Sequence, residues 1–214
     1  MTHIFFDLDG TIWDASATTA AAWSDVLGRR GIKHVITDND IRSVAGRPYL
    51  ECLRRIVPAV LEHDDFPEIL DELAVAEQKY MREMGGDLFP DAIESIGRLA
   101  NNNQLYLVSN CNGWYLDAFF ATSNLNNYFQ DSICFTSMNQ DKTANIRYLM
   151  DKHKIESGFF IGDTMGDKIS AEVNGLKFGH AKFGFDSALA SKLSFASFRE
   201  ITLYFESIKG KNQL

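Results

Sequence analysis

Two short strings of residues carry most of the chemistry open to this sequence. The first is Phe5-Phe6-Asp7-Leu8-Asp9-Gly10-Thr11-Ile12-Trp13-Asp14, an apolar run ending in two aspartates one residue apart, followed by glycine. The second is Phe159-Phe160-Ile161-Gly162-Asp163-Thr164-Met165-Gly166-Asp167, where an apolar run ends in Gly-Asp and another aspartate follows four residues on. A buried strand ending in Asp-x-Asp puts both carboxylates at its carboxyl edge, where open α/β sheets bind ligands. Gly10 allows a tight turn and a close approach by a ligand. Taken singly, Asp-Gly is an ordinary turn, and Asp167 at the start of a helix is an ordinary N-cap.

The two strings together ask for more. If one sheet brings both edges side by side, Asp7, Asp9, Asp163 and Asp167 share a pocket. Two like charges about 4 Å apart repel by roughly 4 kcal/mol at an effective dielectric near 20. Such a group needs protons or a cation. A hard divalent ion with oxygen ligands is the natural partner, and Mg²⁺ suits a site that keeps waters and a phosphate oxygen. Ser109-Asn110 closes a third apolar run, Leu105-Tyr106-Leu107-Val108. Taken alone, Ser109 reads as a strand-end turn or a helix N-cap; beside the acidic motifs, its hydroxyl and nearby backbone N–H groups could hold a phosphate oxygen. Lys142 precedes the helical pattern of Ile146, Leu149 and Met150. A cation at a helix start opposes the helix dipole, so pairing with a phosphate and with Asp7 would give it a purpose. A lone lysine is ordinarily solvated, and Lys142 takes its role only from the other motifs.

The elements that must position these residues alternate along the chain. Apolar runs at His3-Ile4-Phe5-Phe6, Leu105-Tyr106-Leu107-Val108, Ile133-Cys134-Phe135 and Phe159-Phe160-Ile161, with a weaker one from Leu176 to His180, read as strands. Short and nearly all apolar, they suit a parallel sheet covered on both faces. Ile93, Ile96 and Ala100 mark one intervening helix, and Ile146, Leu149 and Met150 another. The expected fold is α/β, a doubly wound parallel sheet joined by right-handed crossovers. Residues 15–88 break the rhythm: no strand is legible there, only helical patterns, the clearest with Phe66, Ile69, Leu70, Leu73, Tyr80 and Met84 on one face. This segment reads as an all-helical cap inserted after the first strand, with residues 1–14 and 89–214 forming the core. Neither repeats nor low-complexity segments are visible.

Bulk properties narrow the classes. The chain has 214 residues, 45% of them hydrophobic and 23% charged, which is ordinary for a globular enzyme. Its formal net charge of −8 argues against a nucleic-acid binder, while a metal ion can still reverse the local sign for a small anionic substrate. No basic segment followed by an apolar run marks a signal peptide, and no apolar window is long enough for a membrane span. Cys52, Cys111 and Cys134 form no Cys-x-x-Cys pair and read as reduced thiols of a cytoplasmic protein. A nucleophilic Cys111 would need a base, and no histidine lies near it in sequence.

In their order along the chain, Asp7-x-Asp9-Gly-Thr, Ser109-Asn, Lys142 and Gly162-Asp163-x-x-x-Asp167 resemble the four motifs of the haloacid dehalogenase superfamily. The resemblance spans nearly the whole chain. The helical insertion, Gly46-Arg47-Pro48 with Leu50, Leu53 and Arg54-Arg55, and Phe89-Pro90-Asp91-Ala92 resemble the phosphoglycolate phosphatase and β-phosphoglucomutase branch. The resemblance implies that Asp7 is a nucleophile and metal ligand, forming a transient aspartyl-phosphate. It implies that Asp9 is the general acid and base, with its backbone carbonyl on the metal. Thr11, Ser109 and Asn110 would hold the phosphoryl group, Lys142 would neutralise it, Asp163 would bind Mg²⁺, and Asp167 would support the ion directly or through water. Arg47 either reaches the distal part of the substrate from the cap or merely anchors its loop. A crowded acidic pocket would raise the pKa of Asp9 for its task.

Thr143 follows Lys142 where many relatives have proline. His180 reads as structural, and Trp13 and Trp23 as packing at the seam between cap and core. Dehalogenases of the superfamily lack the second aspartate of the first motif, so Asp9 favours phosphate chemistry over carbon–halogen cleavage. The expected activity is Mg²⁺-dependent hydrolysis of a small phosphorylated metabolite by a monomer or homodimer. A sugar phosphomutase and a non-catalytic phosphate sensor stay open as alternatives. The cap selects the substrate and carries no motif that names it.

Overall fold

The computed structural model describes residues 1–47, 49–135 and 141–211. Pro48, part of the Gly46-Arg47-Pro48 stretch, lies outside them. Four of the five apolar runs become strands because each has partners for both of its faces. β1 (Thr2–Phe6) pairs in parallel with β4 (Asn103–Val108) on one side and β6 (Phe159–Gly162) on the other. Phe6 lies opposite both Leu107 and Ile161, so the Asp7 and Asp163 ends of β1 and β6 leave the sheet side by side. With β5 (Phe129–Ile133), β7 (Lys177–Ala181) and β8 (Ser194–Phe195) the order is β5-β4-β1-β6-β7-β8, all parallel.

Side chains alternate across the strands, and each set meets its own helical layer. Ile4, Phe6, Leu105, Leu107, Phe159 and Ile161 pack with α5 (Ala92–Ala100), α6 (Gly113–Ser123) and α9 (Phe198–Lys211). Phe5, Tyr106, Val108 and Phe160 pack on the other face with α7 (Lys142–His153) and α8 (Met165–Val173).

The segment between β1 and α5 builds a third cluster from α1 (Ser16–Arg29), α3 (Tyr49–Ile56) and α4 (Phe66–Met84), centred on Trp23, Val26, Leu27, Leu53, Val60, Ile69 and Leu73. Between α1 and α3 lies the short α2 (Asp38–Ser43). Two-residue strands β2 (Trp13–Asp14) and β3 (Asp87–Leu88) pair antiparallel where the chain enters and leaves these helices. None of the described helices is long and apolar enough to cross a membrane.

Four local expectations need correction. The run Ile133-Cys134-Phe135 is not the fifth strand: β5 ends at Ile133, and Phe135, 41% exposed, already begins a helical turn. As the edge strand, β5 needs no all-apolar sequence, so Phe-Gln-Asp-Ser-Ile gave no strand signal. The buried face of α5 is Ala92, Ser95, Ile96 and Leu99, with Ile93 exposed, one step round from the face expected. On α4 the buried positions are Ile69, Leu73, Ala76, Glu77 and Met81, while Met84 is exposed in the last turn. Asp87–Leu88 is a strand inside residues 15–88, too short to have a legible period.

Glu77 is the unexpected member of the cap cluster. Its carboxylate accepts from Trp23 Nε1 at 3.2 Å and Thr19 Oγ1 at 3.5 Å. Burial pushes its pKa from the usual 4.5 up to about 7, against the hydrogen bonds from Trp23 and Thr19, and the charge of Asp9 adds to the rise. The folded state therefore favours the protonated form. The stability this contributes is complete below about pH 4.5 and is lost as the pH climbs through about 7. Glu77→Gln is expected to flatten the fall in unfolding free energy across that window. It should leave the variant more stable than wild type by about 3 kcal/mol near pH 8, measured by urea unfolding at several pH values. An unchanged slope would show that Glu77 keeps an ordinary carboxyl pKa.

Candidate active site

β1 delivers Asp7 to the carboxyl edge of the sheet, where the Asp7 N–H donates to Ile161 O at 2.9 Å and locks it beside β6. The chain then turns through Gly10 at φ +79°, a conformation glycine adopts at little cost. A Cβ at Gly10 would lie 2.3 Å from Asp163 Oδ2, so the turn also depends on the absent side chain. From the far side, Gly184 approaches so closely that its Cβ would sit 2.1 Å from Gly10 O and 2.5 Å from Asp163 Cβ.

Asp163 is fully buried in this vice. Its Oδ2 accepts from the Phe185 N–H at 2.8 Å, and its Oδ1 from the Thr11 hydroxyl at 3.5 Å. Asp167 occupies the first turn of α8, but the N-cap is Thr164. The two form a reciprocal capping box: Asp167 Oδ2 accepts from the Thr164 N–H at 3.0 Å and its hydroxyl at 2.7 Å, while Thr164 Oγ1 accepts from the Asp167 N–H at 3.2 Å. That leaves Asp167 Oδ1 for Lys142 Nζ, at 2.5 Å.

Lys142 heads α7, and its ammonium bridges Asp167 and Asp7, the latter at 2.6 Å. Burial by itself lowers its pKa. The charges of Asp167 and Asp7 outweigh that and hold the pKa above the usual lysine value. One carboxylate oxygen each from Asp7, Asp163 and Asp167 lie within 4.8 Å of one another. Burial, then the charge of Asp167, pushes Asp7 well above the carboxylate range despite Lys142. The same causes, in the same order, raise Asp163 to about 7, opposed by the Phe185 N–H and Lys142. Three carboxylates against one ammonium leave a deficit of two positive charges, which one divalent cation supplies. All the donors are hard oxygens. The residues fit such an ion.

Asp9 is not part of this cluster. Its Oδ1 accepts from Tyr115 Oη at 2.5 Å and Trp13 Nε1 at 3.2 Å. Its pKa rises to about 6 because it is buried; hydrogen bonds from Tyr115 and Trp13 and the charge of Lys142 pull it down. The acidic neighbour that adds to the rise is Asp14. The expected rise is present, but crowding by the acidic pocket is not its main cause.

Ser109 is buried, its Oγ accepting from the Cys111 N–H at 3.1 Å. Asn110 Nδ2 reaches the Gly46 carbonyl at 3.4 Å, spanning from the core to the cap. Arg47 is not brought to the acidic cluster: its guanidinium is 40% exposed and paired with Glu51 at 2.9 Å. His180 is buried, with Nε2 against Asp186 O at 2.9 Å. The cysteines are free thiols, and burial raises the pKa of both Cys52 and Cys111, which disfavours a nucleophilic thiolate. Sequence reading missed Tyr115, the donor role of Trp13, and the Phe185 N–H. Tyr115 lies shortly after Ser109-Asn110, in the first turn of α6, a spacing that only the fold turns towards Asp9.

A doubly wound sheet with an acidic cluster at its carboxyl edge, and helices inserted after the first strand, defines an α/β enzyme core under a helical cap. The chain belongs to the haloacid dehalogenase-like hydrolase family, whose model matches residues 4–181. It is 24% identical over 191 residues to phosphoglycolate phosphatase 1 of Pseudomonas aeruginosa, covering 86% of this chain and 70% of that protein. Among solved structures it resembles a haloacid dehalogenase-like family hydrolase from Streptococcus pneumoniae, with a TM-score of 0.79, 21% identity and coverage of 96% and 98% of the two chains. A protein described as a predicted phosphoglycolate phosphatase from Haemophilus somnus superposes with a TM-score of 0.83 at 18% identity, over 96% and 98% of the chains. These structural likenesses establish the fold.

The electrostatics give a direct expectation. A divalent cation should raise the thermal midpoint of the wild type, by the equivalent of about 2.7 kcal/mol at a hundredfold excess over Kd. Asp163→Asn should abolish that increment while the metal-free protein stays folded. Scanning calorimetry with and without the ion checks it, and an undiminished increment in the variant would move the ion elsewhere.

Proposed function

We propose that this protein is a Mg²⁺-dependent phosphatase. It would hydrolyse a small-molecule phosphomonoester through an aspartyl-phosphate on Asp7, in the manner of a phosphoglycolate phosphatase. The observation that carries the reading is the bridge from Lys142 to Asp7 at 2.6 Å and Asp167 at 2.5 Å, set against Asp163. A buried ammonium between two carboxylates presents positive charge to an anion beside a carboxylate placed to attack it. Asp7, Asp163 and Asp167, with the Asp9 carbonyl, would hold Mg²⁺, which supplies positive charge to the phosphoryl oxygens when bound.

The chain's own residues do the rest. Asp7 is held at the strand end by its N–H bond to Ile161 O, which lowers the entropic part of the barrier to attack. Lys142 and the backbone amides of the loops stabilise charge spread over the transferring group. Ser109, at the end of β4, offers its hydroxyl proton to a phosphoryl oxygen. Asp9 gives a proton to the leaving alkoxide and later takes one from water, so one difficult displacement becomes two easier ones. Asp7 and Ser109 are buried, which limits the access of bulk water to the acyl phosphate. The similarity to the Pseudomonas aeruginosa protein supports a small phosphorylated metabolite as substrate, and the free thiols support a reducing, cytoplasmic setting.

Phosphate release from a panel of phosphomonoesters, with and without Mg²⁺, tests the proposal. Asp7→Asn should lose activity by at least about 10³-fold, since it removes the nucleophile of a two-step reaction. Wild-type turnover in that variant would rule out an aspartyl-phosphate on Asp7. Interconversion of a sugar phosphate without net phosphate release would replace the phosphatase by a mutase.

A further inference from the structure

The mechanism asks Asp9 for a proton, and its two oxygens are not equivalent. Tyr115 Oη and Trp13 Nε1 both land on Oδ1, at 2.5 and 3.2 Å. Among the described residues no donor reaches Oδ2. An indole N–H is a donor only, so Trp13 obliges Oδ1 to accept. The Tyr115 hydroxyl is buried, and a proton on Oδ1 would have to displace one of these two donors. Leaving a buried donor unsatisfied costs about 1–3 kcal/mol. The arrangement that satisfies both donors makes Oδ1 the carbonyl-type oxygen.

We infer that Tyr115, assisted by Trp13, is a positioning residue that assigns the transferable proton of the acid to Asp9 Oδ2. The inference rests on the phosphatase reading above. In the first step the Asp7 Oδ–P bond forms and the P–O bond to the leaving group breaks, while the proton on Asp9 Oδ2 passes to the departing oxygen. In the second step a water oxygen attacks phosphorus, the acyl phosphate P–O bond breaks, and a water proton returns to Asp9 Oδ2. Oδ1 keeps the same two donors throughout, so the carboxyl need not rotate between acting as acid and acting as base.

The surroundings suit a fixed geometry. Trp13 is fully buried and packs edge-on to Tyr115 at 5.4 Å and Phe119 at 5.1 Å. Tyr115 sits in the first turn of α6, its N–H bonded to Asn112 O at 3.1 Å. α6 follows directly on the Ser109-Asn110 loop, so one stretch of chain sets both a phosphoryl-binding hydroxyl and the acid's orientation.

Tyr115→Phe removes the donor and keeps the ring. With Mg²⁺ and glycerol 2-phosphate, whose alkoxide needs a proton to depart, kcat should fall about 10- to 100-fold while KM stays within about twofold. With p-nitrophenyl phosphate the leaving group departs unaided. The first step should then be spared and the second slowed, giving a pre-steady-state burst of about one nitrophenolate per active site. Trp13→Phe should show the same split at smaller amplitude, which keeps the test open if either variant folds poorly. In Asp9→Asn, adding Tyr115→Phe should cost nothing further. Equal fractional losses on both substrates without a burst, or an unchanged kcat on glycerol 2-phosphate, would overturn the inference. Failure of the underlying reading looks different: Asp7→Asn would then keep wild-type turnover.

Discussion

Three buried carboxylates drawn around one ammonium govern this molecule. Asp7, Asp163 and Asp167 come from two strand ends and a helix start, and Lys142 is the buried cation that joins two of them. Such a group repels itself, and the surrounding chain is spent on holding it together. Gly10 and Gly184 are bare so that backbone can close on Asp163 from both sides. The Phe185 N–H and the Thr11 hydroxyl occupy its oxygens. Thr164 locks one oxygen of Asp167, leaving the other for Lys142. Replacing any of these would loosen a site already under electrostatic load, so the loops around it have little freedom to vary.

The same edge of the sheet also separates two aspartates that lie two residues apart. Asp7 stays with the strand and faces the charged cluster. Asp9 lies beyond the strand end and turns to an indole and a phenol. One environment is ionic and the other largely aromatic, so burial raises both pKa values while the modifying neighbours differ. Two carboxyl groups of one loop can thus be given different tasks without any difference in their chemistry.

Much of this could be read from the chain because the relevant signals are local. An apolar run ending in Asp-x-Asp-Gly or Gly-Asp contains both the strand and the acid it presents, and the alternation of such runs with helical patterns implied the doubly wound sheet. What could not be read depends on neighbours distant in sequence. Tyr115 touches Asp9 across 106 positions, and nothing in Gly-Trp-Tyr-Leu distinguishes that tyrosine from a packing residue. Glu77 lies on a face that periodicity assigned to apolar residues alone, because a buried acid with Trp23 and Thr19 as donors looks like a solvated one in sequence. The edge strand β5 escaped because half-covered strands are free to be polar. Arg47 drew attention by its motif position, and the structure pairs it with Glu51, four residues on in the first turn of α3.

The small ribbon of β2 and β3 has a consequence for how the family member at hand can diverge. Trp13 pairs with Leu88 and Asp14 with Asp87, so the chain returns from a largely helical insertion of seventy-odd residues to the very place it departed. Topologically the insertion is a closed excursion. Because its ends meet, strand order and register do not depend on its length, and the entropy of closing a longer detour grows only slowly. Selection for a new leaving group is therefore free to rework one part of the polypeptide while the bond-breaking apparatus is inherited intact.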